Sequence, residues 1–142
     1  FAVGDGQTRT EAEKLAIELG LSGAVNFTGY IPESDVTKHF FDADLFVFPT
    51  RHPEGFPNVL FKAVAVGLPI VTTPVRAAGH YLDDGVNCLF SSREPEDVAA
   101  RIIALIEDRK LRAEMSAANV RVGKSLLPVE IALEFLEIYK RL

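Results

Sequence analysis

The sequence has a single cysteine, Cys88, in 142 residues. No internal disulfide can form, which excludes the stapled scaffolds of small secreted domains and suits a reducing compartment. Basic charge is also scarce: 15 Lys and Arg stand against 20 Asp and Glu, a formal net charge of -5. Such a surface has no broad cationic face from which a nucleic-acid backbone could displace counterions, so no nucleic-acid partner is expected. One anionic ligand, held by backbone amides and a few local cations, stays open. Long hydrophobic runs are missing as well. The longest apolar stretch, 63–71, is interrupted by Gly67 and Pro69 and is too short to span a bilayer. The opening Phe1-Ala2-Val3-Gly4 has neither the basic region nor the apolar core of a secretory leader. The expectation is a cytoplasmic protein, with the inner face of the membrane left open and no membrane contact through this domain. The first residue is not methionine and begins a strand-like segment, so the protein is expected to extend upstream of Phe1.

What is present is an ordinary globular balance, 48% hydrophobic and 25% charged. A chain of this length can bury roughly 70% of its unfolded surface in one core. Short apolar runs at 1–3, 25–28, 45–48, 70–73 and 88–90 read as strands. Leu45-Phe46-Val47-Phe48 shows no polar alternation, the pattern of a strand covered on both faces. Helical spacing fills the gaps: 10–19, stopped by Gly20; 34–41, with Glu33 or Ser34 at its start; 58–66, ended by Gly67 and Pro69; and a short turn at 79–82. After Phe90 the pattern is purely helical. One helix has Pro95 in its first turn, a second covers 110–122, and the last covers 129–142. The last is apolar around most of its circumference and should be covered on two sides, one by this domain and the other by a part of the protein outside this sequence. Strand–helix alternation with short connections predicts an α/β fold built on a doubly wound parallel sheet, followed by C-terminal helices. The whole chain, 1–142, reads as one domain, with the alternation in 1–90 and the helices in 91–142.

In such sheets ligands bind outside the carboxyl ends of the strands. The richest loop there is Pro49-Thr50-Arg51-His52-Pro53-Glu54-Gly55-Phe56-Pro57-Asn58, between a strand and a helix. Gly55 lets the backbone approach a ligand, and Pro57 suits a first helical position. The amides of Phe56, Asn58 and Val59 would face outward where the helix dipole favours an anion, and a diphosphate is the natural guest. Glu54 either caps this helix electrostatically or accepts hydrogen bonds from hydroxyls such as those of a sugar. Arg51 and His52 either line the cleft or lie on the loop surface.

These segments together carry a resemblance. Gly4-Asp5-Gly6, Val25-Asn26-Phe27-Thr28-Gly29-Tyr30-Ile31-Pro32, Ala43-Asp44-Leu45-Phe46-Val47-Phe48-Pro49-Thr50, Glu54-Gly55-Phe56-Pro57-Asn58-Val59-Leu60, Gly67-Leu68-Pro69-Ile70-Val71 and Asp84-Gly85-Val86-Asn87 occur in order. They resemble the C-terminal, donor-binding domain of the family 4 retaining glycosyltransferases, which have the two-domain GT-B architecture with Rossmann-like halves. Each motif alone is weak; six in order are specific. The resemblance implies a nucleotide-diphosphate sugar as substrate, no cofactor and no metal, and an N-terminal acceptor-binding domain as partner. Glu54 would contact the transferred sugar, and Gly55, Phe56 and Pro57 would hold the diphosphate and sugar. Asn58, Val59 and Leu60 would open the helix behind them, Tyr30 and Ile31 would meet the nucleobase, and Gly4 and Gly6 would line the cleft. The resemblance supplies no protein nucleophile or base, since the donor's own phosphate is thought to help deprotonate the acceptor.

The pattern breaks in places. Eight residues after Glu54, where the family has a second glutamate that bonds the ribose hydroxyls, stands Lys62, which donates but does not accept. Lys62 either reaches a phosphate or is solvated. Arg76-Ala77-Ala78-Gly79-His80 replaces a glycine pair followed by a glutamate; Arg76 is the candidate for a phosphate or sugar contact, and His80 reads as a surface or packing residue. Cys88, in place of a frequent glycine, reads as a small buried apolar residue. The family's first strand, with an arginine and a lysine that clamp the diphosphate, is not represented. A binding module without catalysis is the alternative. A non-catalytic α/β interaction domain such as a signalling receiver is disfavoured, because Asp5, Asp44 and Lys62 do not follow a receiver's order.

Overall fold

The computed structural model describes residues 1–52, 55–75 and 78–141. The chain divides into two compact units, Phe1–Asp42 and Ala43–Leu142.

The first unit runs β1 (Ala2–Val3), α1 (Arg9–Glu18), β2 (Phe27–Gly29) and α2 (Glu33–Asp42). β1 and β2 pair in parallel, with Ala2 opposite Phe27. Helix α1 ends where the sequence places its stop. Gly20, at φ +71°, takes the left-handed turn, its N–H donates to Ile17 O, and the Leu21 N–H donates to Ala16 O. This double bond pattern closes the carbonyls that a helix end leaves open.

The second unit contains β3 (Phe46–Phe48), α3 (Asn58–Ala65), β4 (Ile70–Thr72), α4 (Ala78–Tyr81) and β5 (Leu89–Phe90), followed by α5 (Pro95–Glu107), α6 (Arg109–Ser125) and α7 (Pro128–Tyr139). Its sheet order is β3-β4-β5, all parallel, with Val47 opposite Val71 and Val71 opposite Leu89. Parallel pairing therefore holds for every strand pair described, although the strands are distributed over two sheets rather than one. The strand covered throughout is β4, whose three residues are all buried. β3 is the edge of its unit's sheet, and Val47 is 38% exposed, contrary to the expectation of two covered faces. An unbroken apolar run cannot reveal sheet order, and only a central position guarantees full cover.

The core of this unit joins Val71, Leu89, Leu105 and Met115, flanked by Leu45, Ile102 and Leu111. The Ile70 amide donates to Met115 Sδ at 3.4 Å. Helices α3 and α6 approach closely. Gly67, which ends α3 at φ +78°, faces Val120 and Ser116, and a Cβ on Gly123 would lie 2.7 Å from the Ala65 Cα. Buried Asn119 on α6 donates through Nδ2 to Leu68 O at 2.7 Å and to Asn87 O at 2.8 Å, tying the end of α3 to the turn before β5. Cys88 has no solvent contact, as its apolar reading requires. Helix α7 is covered by this domain less than expected: Val129, Leu133, Phe135, Leu136, Ile138 and Tyr139 are all exposed, and only Ile131 is half-buried. Among the described residues no helix is long and apolar enough to cross a membrane.

Candidate functional site

The candidate residues fall in both units. In the first, Gly4 follows β1 with φ +130°, and its N–H donates to Gly29 O at 3.1 Å, so the turns after β1 and β2 are joined. Asp5 Oδ1 accepts the Gly6 N–H at 2.8 Å. Tyr30, just past β2, is 83% exposed, and Ile31 is half-buried beside it. The sequence reading did not single out Arg9, the first residue of α1. Its guanidinium bonds Glu13 Oε1 at 2.7 Å and lies 3.4 Å from Asp5 Oδ2. The Glu13 bond and charge, with a lesser contribution from Asp5, raise the Arg9 pKa further. The guanidinium also packs on Gly29, where any Cβ would collide with it. Gly29 is favoured by its positive φ of +69°, while a side chain there would need only the mobile end of Arg9 to shift. A groove of about 580 Å³ in this unit, lined by α1 and residues 22–27, lies before β2 rather than after it.

In the second unit the loop after β3 is anchored by buried hydroxyls. Thr72 Oγ1 donates to Phe48 O and Thr73 Oγ1 donates to Thr50 O, both at 2.9 Å. Thr50 Oγ1 accepts the His52 N–H at 3.2 Å. Arg51 and His52 are exposed. Glu54 lies outside the described residues, as does Arg76. Gly55 and Phe56 are exposed and Pro57 is buried. Pro57 precedes α3 as its cap residue, one position earlier than the sequence suggests, and its carbonyl accepts the Leu60 N–H at 3.0 Å. Asn58 and Val59 open the helix, where no carbonyl within the helix lies four residues behind them. Their amides, with the positive end of the helix dipole, are suited to an anion. Lys62 stands one turn on from Asn58, on the same side of α3, and is half-buried.

The sequence reading also missed an aromatic cluster beside this helix start. Phe56 stacks on Phe61 with ring centroids 4.0 Å apart and planes 5° apart. Tyr81, the last residue of α4, sets its ring at 87° to both, at 6.1 Å and 5.6 Å. His80 is exposed and lies edge-on to Tyr81 at 5.3 Å, consistent with a surface packing role. Among the described residues no group of three or more His, Cys, Asp or Glu side chains could hold a metal ion.

Residues 1–121 match the family model for glycosyl transferases group 1. The chain belongs to this family. Its similarity to the lipopolysaccharide core biosynthesis glycosyltransferase LpsE of Rhizobium meliloti is 34% identity over 118 residues, covering 82% of this chain and 34% of that protein. Among solved structures, Anabaena Alr3699/HepE in complex with UDP-glucose superposes with a TM-score of 0.82 at 25% identity, over 99% of this chain and 40% of that one. The C-terminal domain of the group 1 protein LpcC from Francisella tularensis shares the fold, with a TM-score of 0.72 at 21% identity over 83% of this chain and 61% of that one. The architecture is thus the parallel-sheet, Rossmann-like α/β fold found in GT-B glycosyltransferases. This group 1 chain spans about a third of the length of the curated relatives it matches.

Proposed function

We propose that this chain is the donor-binding, C-terminal half of a family 4 retaining glycosyltransferase, which moves a sugar from a nucleotide-diphosphate sugar to an acceptor. The observation that carries this is the turn 55–57 opening α3 at the carboxyl end of β3, inside a chain that belongs to the group 1 family. The turn is suited to a diphosphate, and HepE, of the same fold, is known with UDP-glucose bound. The fold shared with the LpcC C-terminal domain supports the assignment to that half.

The roles follow the chemistry. Amides of Phe56, Asn58 and Val59 hold phosphate oxygens, with Gly55 and Pro57 shaping the turn. Glu54 accepts hydrogen bonds from the transferred sugar. Gly4 and Gly6 line the donor cleft, and Tyr30 and Ile31 meet the nucleobase. Lys62 and Arg76 add positive charge toward the phosphates. The nucleotide sugar is the substrate, and neither cofactor nor metal is proposed. The acceptor is held by an N-terminal domain of the same protein, in the cytoplasm or at the inner face of the membrane; alone, the donor half does not complete transfer.

Replacing Glu54→Ala tests the sugar contact. Calorimetric affinity for the nucleotide sugar is expected to fall about tenfold, the scale of one charge-assisted hydrogen bond, while affinity for the bare nucleoside diphosphate holds. Equal losses for both ligands contradict the role. A second reading, a donor-binding module without catalysis, is favoured by Lys62 standing where a carboxylate is expected. Sugar turnover by the full-length protein excludes it.

A further inference from the structure

A turn that offers its amides to a ligand cannot also use them to hold its own shape. Its conformation must be fixed through side chains, and catalytic sites depend on donors fixed beforehand. In the turn 55–57, Gly55 has no side chain and Pro57 is buried in the helix start, so the Phe56 ring is the remaining handle. That ring is stacked on Phe61, which is 7% exposed inside α3, and is braced edge-on by Tyr81. Tyr81 belongs to a different element, α4, which follows the loop after β4. The cluster therefore spans two strand ends. It runs from the core to the surface, since Phe61 is buried while Phe56 is 49% and Tyr81 44% exposed.

We propose that Tyr81 is a positioning residue of the donor site: its ring, set perpendicular to those of Phe56 and Phe61, holds the turn 55–57 in the conformation that receives the diphosphate. This rests on the donor-binding reading above. Tyr81 touches no substrate and acts through the Phe56 backbone. The attraction comes from the perpendicular setting of the Tyr81 ring beside the Phe56–Phe61 stack, at 87° to both, the arrangement in which the electropositive edge of one ring meets the electron-rich face of another. The hydroxyl plays no part, so phenylalanine can replace tyrosine here.

The experiment compares Tyr81→Ala, Tyr81→Leu and Tyr81→Phe in the full-length protein, titrated with UDP, GDP and ADP and with the matching nucleosides. Tyr81→Ala is expected to weaken the bound nucleoside diphosphate about tenfold while nucleoside affinity stays within twofold. Tyr81→Leu, which keeps apolar bulk but no ring edge, is expected to show the same selective loss and carries the test if the alanine variant does not fold. Tyr81→Phe is expected to match the wild type. Unchanged diphosphate affinity in the alanine and leucine variants overturns the proposal, and so does an equal loss on nucleoside and diphosphate. A wild type that binds none of the three diphosphates is a different result, which sinks the donor-binding reading and this inference with it.

Discussion

Cys88 shows how one residue ties burial to chemistry. Loss of solvent, with a smaller contribution from the charges of Asp84 and Asp83, pushes its thiol up to about 12 from 9.0. The folded state therefore keeps the proton at a pH where the unfolded chain loses it. The stabilising contribution is fully present below about pH 9 and disappears as pH rises toward 12, at about 1.4 kcal/mol per pH unit. Denaturant unfolding of wild type and Cys88→Ala between pH 8 and 11 is expected to give a steeper decline for the wild type above pH 9; parallel curves contradict it. Cys88 was legible in the sequence because a lone cysteine in an apolar run has few other readings. Pro57 was legible to within one position, since a proline before a helix fixes its own φ whatever surrounds it. Phe61 and Tyr81 were not. They are 20 residues apart and each, alone, looks like ordinary core; only the folded chain sets their rings against Phe56. Arg9 was hidden for the same reason, since Gly29, on which its guanidinium packs, lies on another element.

The start of helix α3 opens the proposed diphosphate turn, and α6 fixes the far end of that helix. Where they cross, a Cβ on Gly123 would sit 2.7 Å from the Ala65 Cα and 3.4 Å from the Ala65 N, both backbone atoms that cannot swing aside. Gly123→Ala would gain about 1 kcal/mol in helix propensity but forces the helices apart, at a cost of about 1–3 kcal/mol. The expected net result is a melting temperature lower by a few degrees. An increase contradicts close helix contact as the reason for glycine. The helix ends were readable to within a few residues because their signals are local: Gly20 and Gly67 sit where the left-handed turn is needed. Strand cover was not, because whether β3 or β4 lies inside depends on sheet order. The exposed apolar face of α7 was legible as a pattern, but how little of the helix this domain covers was not.

At the scale of the whole chain, each unit carries its own set of assigned turns. Phe1–Asp42 holds the turns assigned to the cleft and nucleobase, and Ala43–Leu142 holds those assigned to diphosphate and sugar. Group 1 membership was legible because six short motifs kept their order over some 90 residues, which no single motif could establish. The nucleobase and sugar were not legible, since base contacts made partly through backbone leave little trace in side-chain identity. Saturation-transfer NMR of this chain and of the full-length protein with UDP, GDP, ADP and their common sugar conjugates tests donor binding most directly. Transfer to the ribose and base of one nucleotide, retained by the full-length protein and strengthened by the matching sugar, is the expected result and identifies the base. Absence of transfer from every member of the panel to the full-length protein would contradict the assignment of this chain as a donor-binding half.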